Sequence, residues 1–167
     1  MKGRVEAPPR TRRFAEGTDV PVERSRAELE DLLRKHGAAE IGLHMADAGW
    51  TVMYRMRGRM LKQFVRFPEA EPYVLFDPKA PWRKRTAAQI KPLQEKEWRR
   101  RWRAAVLILK ARLEAVASGD ADFEATFLGD ILLPDGSTMA EAVKPKLQLA
   151  YDSGEMPALM LGTGPKG

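Results

Sequence analysis

The amino-acid sequence predicts an α+β domain. An antiparallel three- to four-stranded meander should pack with an N-terminal helix and a long central helix, ahead of a short helical C-terminal section. Three observations predict it. Across residues 91–119, Trp98, Trp102, Val106, Leu109, Leu113 and Val116 recur three or four residues apart, which is one face of an α-helix. Between Ile41 and Phe67 the apolar period falls to two, the mark of strands with one buried face. Ahead of both, Ser25 and Glu28 stand at capping-box spacing before Leu29, Leu32 and Leu33.

In chain order, residues 1–18 carry Lys2, Arg4, Arg10, Arg12 and Arg13 with few apolar anchors, so a flexible basic arm is expected there. The folded domain should span 19–157, with a frayed tail at 158–167. The first helix falls within residues 20–37, opened by the Ser25–Glu28 box, with room for one further turn in front at Val20-Pro21-Val22, and stopped by Gly37. His36, beside Gly37, suits the carbonyl end of the helix dipole. Ile41, Leu43 and Met45 then alternate with Glu40, Gly42 and His44, and Asp47-Ala48-Gly49 supplies a turn. Trp50, Val52, Tyr54 and Met56 form a second strand. After Gly58, Leu61, Val65 and Phe67 form a third. The outer face would gather Arg55, Arg57, Lys62 and Arg66 around Met53 and Phe64. Pro68 ends the meander, and residues 73–76 are expected as a short fourth strand.

Residues 77–85, with prolines at 78 and 81, read as a linker. Thr86 and Gln89 form a second capping box, so a helix should begin near Ala87, and Pro92 should kink it or mark a restart. The long helix ends at Ser118-Gly119. Asp120 is expected to cap a short helix that turns Phe123, Phe127 and Leu128 inward. Ile131, Leu132 and Leu133 make a brief apolar run before the Pro134-Asp135-Gly136 turn. Thr138 and Glu141 repeat the capping-box spacing and open a last helix through Leu147 and Tyr151, interrupted by Pro145 and stopped by Gly154.

The 167 residues suffice for a real core. No stretch approaches the roughly 18–20 uncharged apolar residues that span a bilayer, and no apolar segment follows the basic N-terminus. A cytoplasmic protein with no membrane partner is expected. The chain has no cysteine, which excludes disulfides, thiolate nucleophiles and cysteine metal sites. Its net charge is +6 and its pI about 9.7, which favours an anionic partner.

The chemistry leans away from an enzyme. His36 and His44 are the only histidines, and no zinc motif surrounds either. No G-x-S-x-G or G-K-[ST] occurs, and no cofactor is expected. The acids that a Mg²⁺ nuclease would need are available as Glu28, Glu40, Asp47, Asp77 and Glu97. However, Glu95-Lys96-Glu97 lacks the preceding acid-and-strand order of a typical nuclease core.

The positive signal is the segment from Trp82 to Arg103. There Arg83, Lys84, Arg85, Lys91, Lys96, Arg99, Arg100, Arg101 and Arg103, nine cations, stand against two acids, Glu95 and Glu97. Such density holds phosphates without needing sequence, and aromatic rings among the cations can stack on unpaired bases. Trp98 and Trp102 continue the apolar stripe and read as core, which leaves Trp82 as the freer ring. Arg100 and Arg103 lie on another side of the helix from Trp102. The opposing reading pairs this helix head with acids such as Glu28, Glu30 and Asp31. The candidate nucleic-acid contacts are therefore Trp82, Arg83, Lys84, Arg85, Lys96, Arg99, Arg100 and Arg103, with Arg55 and Arg57 as a second surface. DNA is favoured over RNA. The rival partner is an acidic host protein, and the Trp and Met stripes leave room for a homodimer interface.

Four segments carry a resemblance. They are Val20-Pro21-Val22-Glu23-Arg24-Ser25-Arg26-Ala27-Glu28-Leu29, Arg101-Trp102-Arg103-Ala104 running into Lys110-Ala111-Arg112-Leu113-Glu114-Ala115-Val116, Phe123-Glu124 to Leu133-Pro134-Asp135-Gly136, and Tyr151 to Met156-Pro157. Together they resemble a family of small bacteriophage and prophage proteins over residues 19 to 160. The resemblance implies no catalytic residues. It implies a setting: a phage-type protein in a bacterial cytoplasm, acting on DNA or on a host protein.

Overall fold

Period-two apolar spacing becomes sheet where each strand has a partner for its buried face. In the computed structural model, which describes residues 13–68 and 72–154, β1 (Ala39–Ala46), β2 (Gly49–Met56) and β3 (Arg59–Arg66) form an antiparallel meander in the order β1-β2-β3. The architecture is α+β, as expected.

The alternation is realised along the centre of the sheet. Val52, Tyr54 and Met56 of β2 and Leu61 and Val65 of β3 are buried, while Met53, Arg55, Phe64 and Arg66 are exposed. Met56 pairs with Arg59 across the two-residue loop Arg57-Gly58, and both loop residues have positive φ (48° and 76°). That is the twist-matched hairpin turn. At the other end, Gly49 is required. A Cβ there would lie 2.3 Å from the Val65 carbonyl oxygen and 2.8 Å from the Phe64 ring.

Helices flank the strands in sequence: α1 (Val22–Lys35) before them, then α2 (Pro72–Leu75), α3 (Ala87–Ser118), α4 (Phe123–Phe127), a 3₁₀ turn (Leu128–Asp130) and α5 (Met139–Ser153). Two short strands, β4 (Phe76–Asp77) and β5 (Ala80–Lys84), make a separate antiparallel ribbon. No described helix is long and apolar enough to cross a membrane.

The chain gathers into two units. One comprises the described residues up to Glu28 together with Phe67–Ile108, the other Leu29–Arg66 with the described residues from Leu109 onward. Both α1 and α3 contribute to each. In the second unit the buried apolar side chains are Leu29, Leu32 and Leu33 of α1, the inner face of the meander, Leu109 and Leu113 of α3, and Phe123 and Phe127 of α4. Lys35 bonds Glu114 at 3.1 Å, joining the end of α1 to α3. In the first unit Val74, Trp102 and Val106 are buried. There Phe67, Trp98 and Trp102 form a run of ring contacts, with centroids 4.8 and 5.8 Å apart. Trp102 is thus core, as its place in the stripe implies, and Trp98 is half-buried against it.

Several local expectations are corrected. The Ser25 box does not form, because α1 already starts at Val22, directly after Pro21, and a proline suits a helix entrance. Ser25 lies inside the helix, buried, and its hydroxyl finds no hydrogen-bond partner among the described residues. Residues 73–76 are not a fourth strand of the meander, since they form α2 and the start of β4. The outer edge of β3 is met instead by Ile131, which bridges to Leu61, and by Leu132, whose N–H reaches the Met60 carbonyl at 2.8 Å. The linker at 77–85 is a hairpin.

Pro92 and Pro145 neither break nor restart their helices, and Ala88 and Glu141, whose carbonyls they leave unpaired, are exposed. The cap of α4 is Asp122, which accepts the Ala125 N–H at 2.8 Å, not Asp120. The other boxes fare better. Gln89 accepts the Thr86 N–H, and Thr138 with Glu141 forms the reciprocal pair that opens α5, which Gly154 closes with φ 73°. Only residues 13–18 of the expected arm are described, and the tail at 158–167 lies outside the described residues.

Candidate nucleic-acid interface

The β4–β5 hairpin is built around a short turn. Asp77 pairs with Ala80 across Pro78-Lys79, and the Asp77 carboxylate accepts the Lys79 N–H at 3.0 Å. The register then shifts, so that Phe76 pairs with Lys84 and residues 81–83 bulge between the two pairs, and the Arg85 N–H donates to the Leu75 carbonyl at 2.8 Å. Because β4 contributes two residues and the ribbon has two strands, β5 is left open. Pro81, Trp82, Arg83 and Lys84 are all exposed, Trp82 to 84%. Arg85 is half-buried, and its Nε has no acceptor among the described residues. Lys79 at the tip is exposed as well; sequence reasoning missed it by treating this stretch as a linker.

The head of α3, which follows directly, is a different surface from the one its charge density predicts. Glu97 is only 3% exposed and sits among three arginines. Arg13 donates to it at 2.9 Å, Arg100 at 2.6 Å through Nη2, and Arg101 at 3.2 Å through Nε. Arg100 also donates to the Phe14 carbonyl and Arg101 to the Phe67 carbonyl. Arg103 is bound to Glu28 at 2.6 Å, and Arg26 lies 6.0 Å over the Trp102 ring. These guanidinium groups tie the unit together. The cue in the sequence was the spacing, with Glu97 three and four residues before Arg100 and Arg101 on one helix.

The ten predicted contacts therefore separate. Trp82, Arg83, Lys84 and Lys96 are exposed, Arg85 and Arg99 are half-buried, and Arg100 and Arg103 are held by carboxylates of their own unit. Lys91 is exposed too. Arg55 and Arg57 belong to the other unit. Arg55 bonds Glu40 at 2.8 Å, which holds that carboxyl below its usual range and raises the guanidinium, and Arg57 lies 5.1 Å over the Phe123 ring.

The acids weighed for a nuclease are dispersed. Glu28 and Glu97 serve arginines of the first unit, Glu40 serves Arg55, and Asp77 closes the hairpin turn. Among the described residues no three acids or histidines cluster as metal ligands would. The other polar centre joins Arg112 to Asp130 at 2.6 Å, with Gln63 on the same carboxylate at 3.1 Å and the Arg112 guanidinium 4.1 Å over the Phe127 ring. It fixes the α4 turn and offers no exposed reactive group. No protein-family model, characterised protein or solved structure matches this chain.

Proposed function

We propose that this protein binds nucleic acid without catalysing a reaction, through the β4–β5 hairpin and the exposed lysines of the first turns of α3. One observation carries the reading: Trp82 is 84% exposed on a strand whose next two residues, Arg83 and Lys84, are exposed cations. Cations so placed neutralise phosphates, and an uncovered indole among them offers a base a stacking surface. In the setting that the phage-protein resemblance implies, the ligand is DNA under metabolism in the cytoplasm of a bacterial host. The test is fluorescence-polarisation binding to labelled oligonucleotides over a salt series, with and without Mg²⁺. Affinity that falls steeply with salt supports the reading. Cleavage that appears only with Mg²⁺ would replace it with a nuclease, and no binding at low salt would end it.

A second reading has its own observation. Along α5, Val143, Leu147 and Tyr151 make a stripe four residues apart that becomes more exposed toward its end, Leu147 to 46% and Tyr151 to 86%. Such a face suits a protein partner. On this reading the chain docks on a host enzyme or defence complex, its basic surplus meeting an acidic surface. Capture of one host protein that survives nuclease treatment supports it, and loss of capture on nuclease treatment opposes it.

A further inference from the structure

We infer that the nucleic acid taken by the hairpin is unpaired, a single strand whose bases stack on Trp82; this rests on the nucleic-acid reading above. A duplex is read by an element that enters a groove, most often a helix presenting long polar side chains to base edges. Here the richest candidate helix has spent those side chains. Arg100, Arg101 and Arg103 of α3 are bound to Glu97, to the Phe14 and Phe67 carbonyls and to Glu28. Its exposed lysines are scattered: Lys91 and Lys96 stand five residues apart and so do not share a helix face, and Lys110 follows fourteen residues later.

What remains outward is a ribbon and a ring. Between its paired residues Ala80 and Lys84, β5 bulges, with Pro81, Trp82 and Arg83 opposite a single step of β4, and Trp82, Arg83 and Lys84 are all exposed. An indole followed directly in the chain by a guanidinium and an ammonium offers one nucleotide both a π-face for its base and a charge for its phosphate. A duplex hides its base faces in its own stack, so only an unpaired strand can use the ring.

An exposed tryptophan beside cations also fits a membrane surface, but an interfacial anchor needs an apolar face around the ring. The exposed neighbours on this hairpin are Pro78, Lys79, Pro81, Arg83 and Lys84, and Phe76 is half-buried. One ring with cations around it favours the base over the bilayer.

The experiment uses the full chain, with fluorescence polarisation on a labelled single-stranded oligonucleotide and on its blunt duplex at low salt, for the wild type, W82A and W82F. At 84% exposure the ring supports no core, and unchanged thermal unfolding of both variants checks this. The single strand should bind about tenfold tighter than the duplex. W82A should lose about tenfold on the single strand and little on the duplex, and W82F should keep most of the affinity. Equal binding to both forms, unchanged by W82A, would overturn the inference while leaving the nucleic-acid reading in place. No binding to either form would remove both. Binding to anionic phospholipid vesicles that W82A abolishes, with no oligonucleotide bound, would make the ring a membrane anchor and overturn both as well.

Discussion

Arg100 grips the carboxylate of Glu97, one turn earlier on the same helix, with Nη2 to Oε1 at 2.6 Å and Nε 3.0 Å from each oxygen. Arg13 and Arg101 reach the same group, so a buried acid gathers three cations from across the first unit. Removing the carboxylate takes the shared acceptor from three guanidinium groups, of which Arg100 and Arg101 keep carbonyl bonds and Arg13 is exposed. E97A should therefore cost about 1–3 kcal/mol, and R100A less, because Glu97 keeps two arginines. Urea unfolding of the two variants checks the order. A loss for E97A below about 1 kcal/mol would mean the cluster behaves as an exposed pair. Reversing the charge of Arg99, Arg100 and Arg103 together would thus test folding before it tested binding.

Gly49 bears on the meander in the same way that Glu97 bears on α3. Its backbone passes so close to β3 that any side chain would press on the Val65 carbonyl oxygen, with Phe64 and the Arg66 backbone at 2.8 Å. Backbone cannot step aside as a flexible side chain can. G49A should cost about 1–3 kcal/mol, toward the upper end, with the urea m-value unchanged. Gly58, whose added Cβ would meet nothing, makes the control: G58A meets only the strain of its positive φ and should cost less.

Tyr54 places a wholly buried hydroxyl in the second unit with no hydrogen-bond partner among the described residues. Burial, and secondarily the Asp130 carboxylate, push its pKa well above the usual 10.0, against an opposing pull from Arg112. The neutral phenol is thus favoured in the folded state. This contribution is complete below pH 10 and is lost as pH rises past it, since the unfolded tyrosine ionises first. Y54F should be neutral or stabilising by up to about 1 kcal/mol near pH 7, since it deletes an unsatisfied polar group. It should also flatten the fall in stability above pH 10. A drop in stability at pH 7 would mean that the hydroxyl has a partner.

The parts of this protein legible in its sequence are those set by periodicity. The stripe through Trp102, Val106, Leu109 and Leu113 and the alternation through Val52, Tyr54 and Met56 are buried as read. The misreadings arise where a motif had a competitor. Ser25 and Glu28 keep capping-box spacing, but Pro21 starts the helix one turn sooner. Pro78 and Pro81 look like linker punctuation, yet Pro78 sits in a two-residue turn and Pro81 on an open strand, where a missing N–H is cheap. The charge at the head of α3 was visible, but its direction was not. Whether Arg100 faces solvent or Glu97 depends on an acid being buried, and local spacing raises that option without deciding it. Trp82 came through because nothing in its surroundings repeats apolar residues at helix or strand spacing.

The hairpin makes the last prediction, which concerns the number of phosphates it neutralises. Arg83 and Lys84 are exposed and bonded to no carboxylate among the described residues, whereas Arg55 is bonded to Glu40. Each phosphate neutralised releases condensed counterions, and the slope of log affinity against log salt counts them. R83A/K84A should lower that slope by roughly 1.4 on a single strand, at about 0.7 for each lost phosphate contact, and leave thermal unfolding unchanged. R55A should leave the slope as it is. If R55A lowers the slope and R83A/K84A does not, the phosphate surface lies on the meander rather than on the hairpin. The outer face that presents Lys62, Phe64 and Arg66 would then be the one to map.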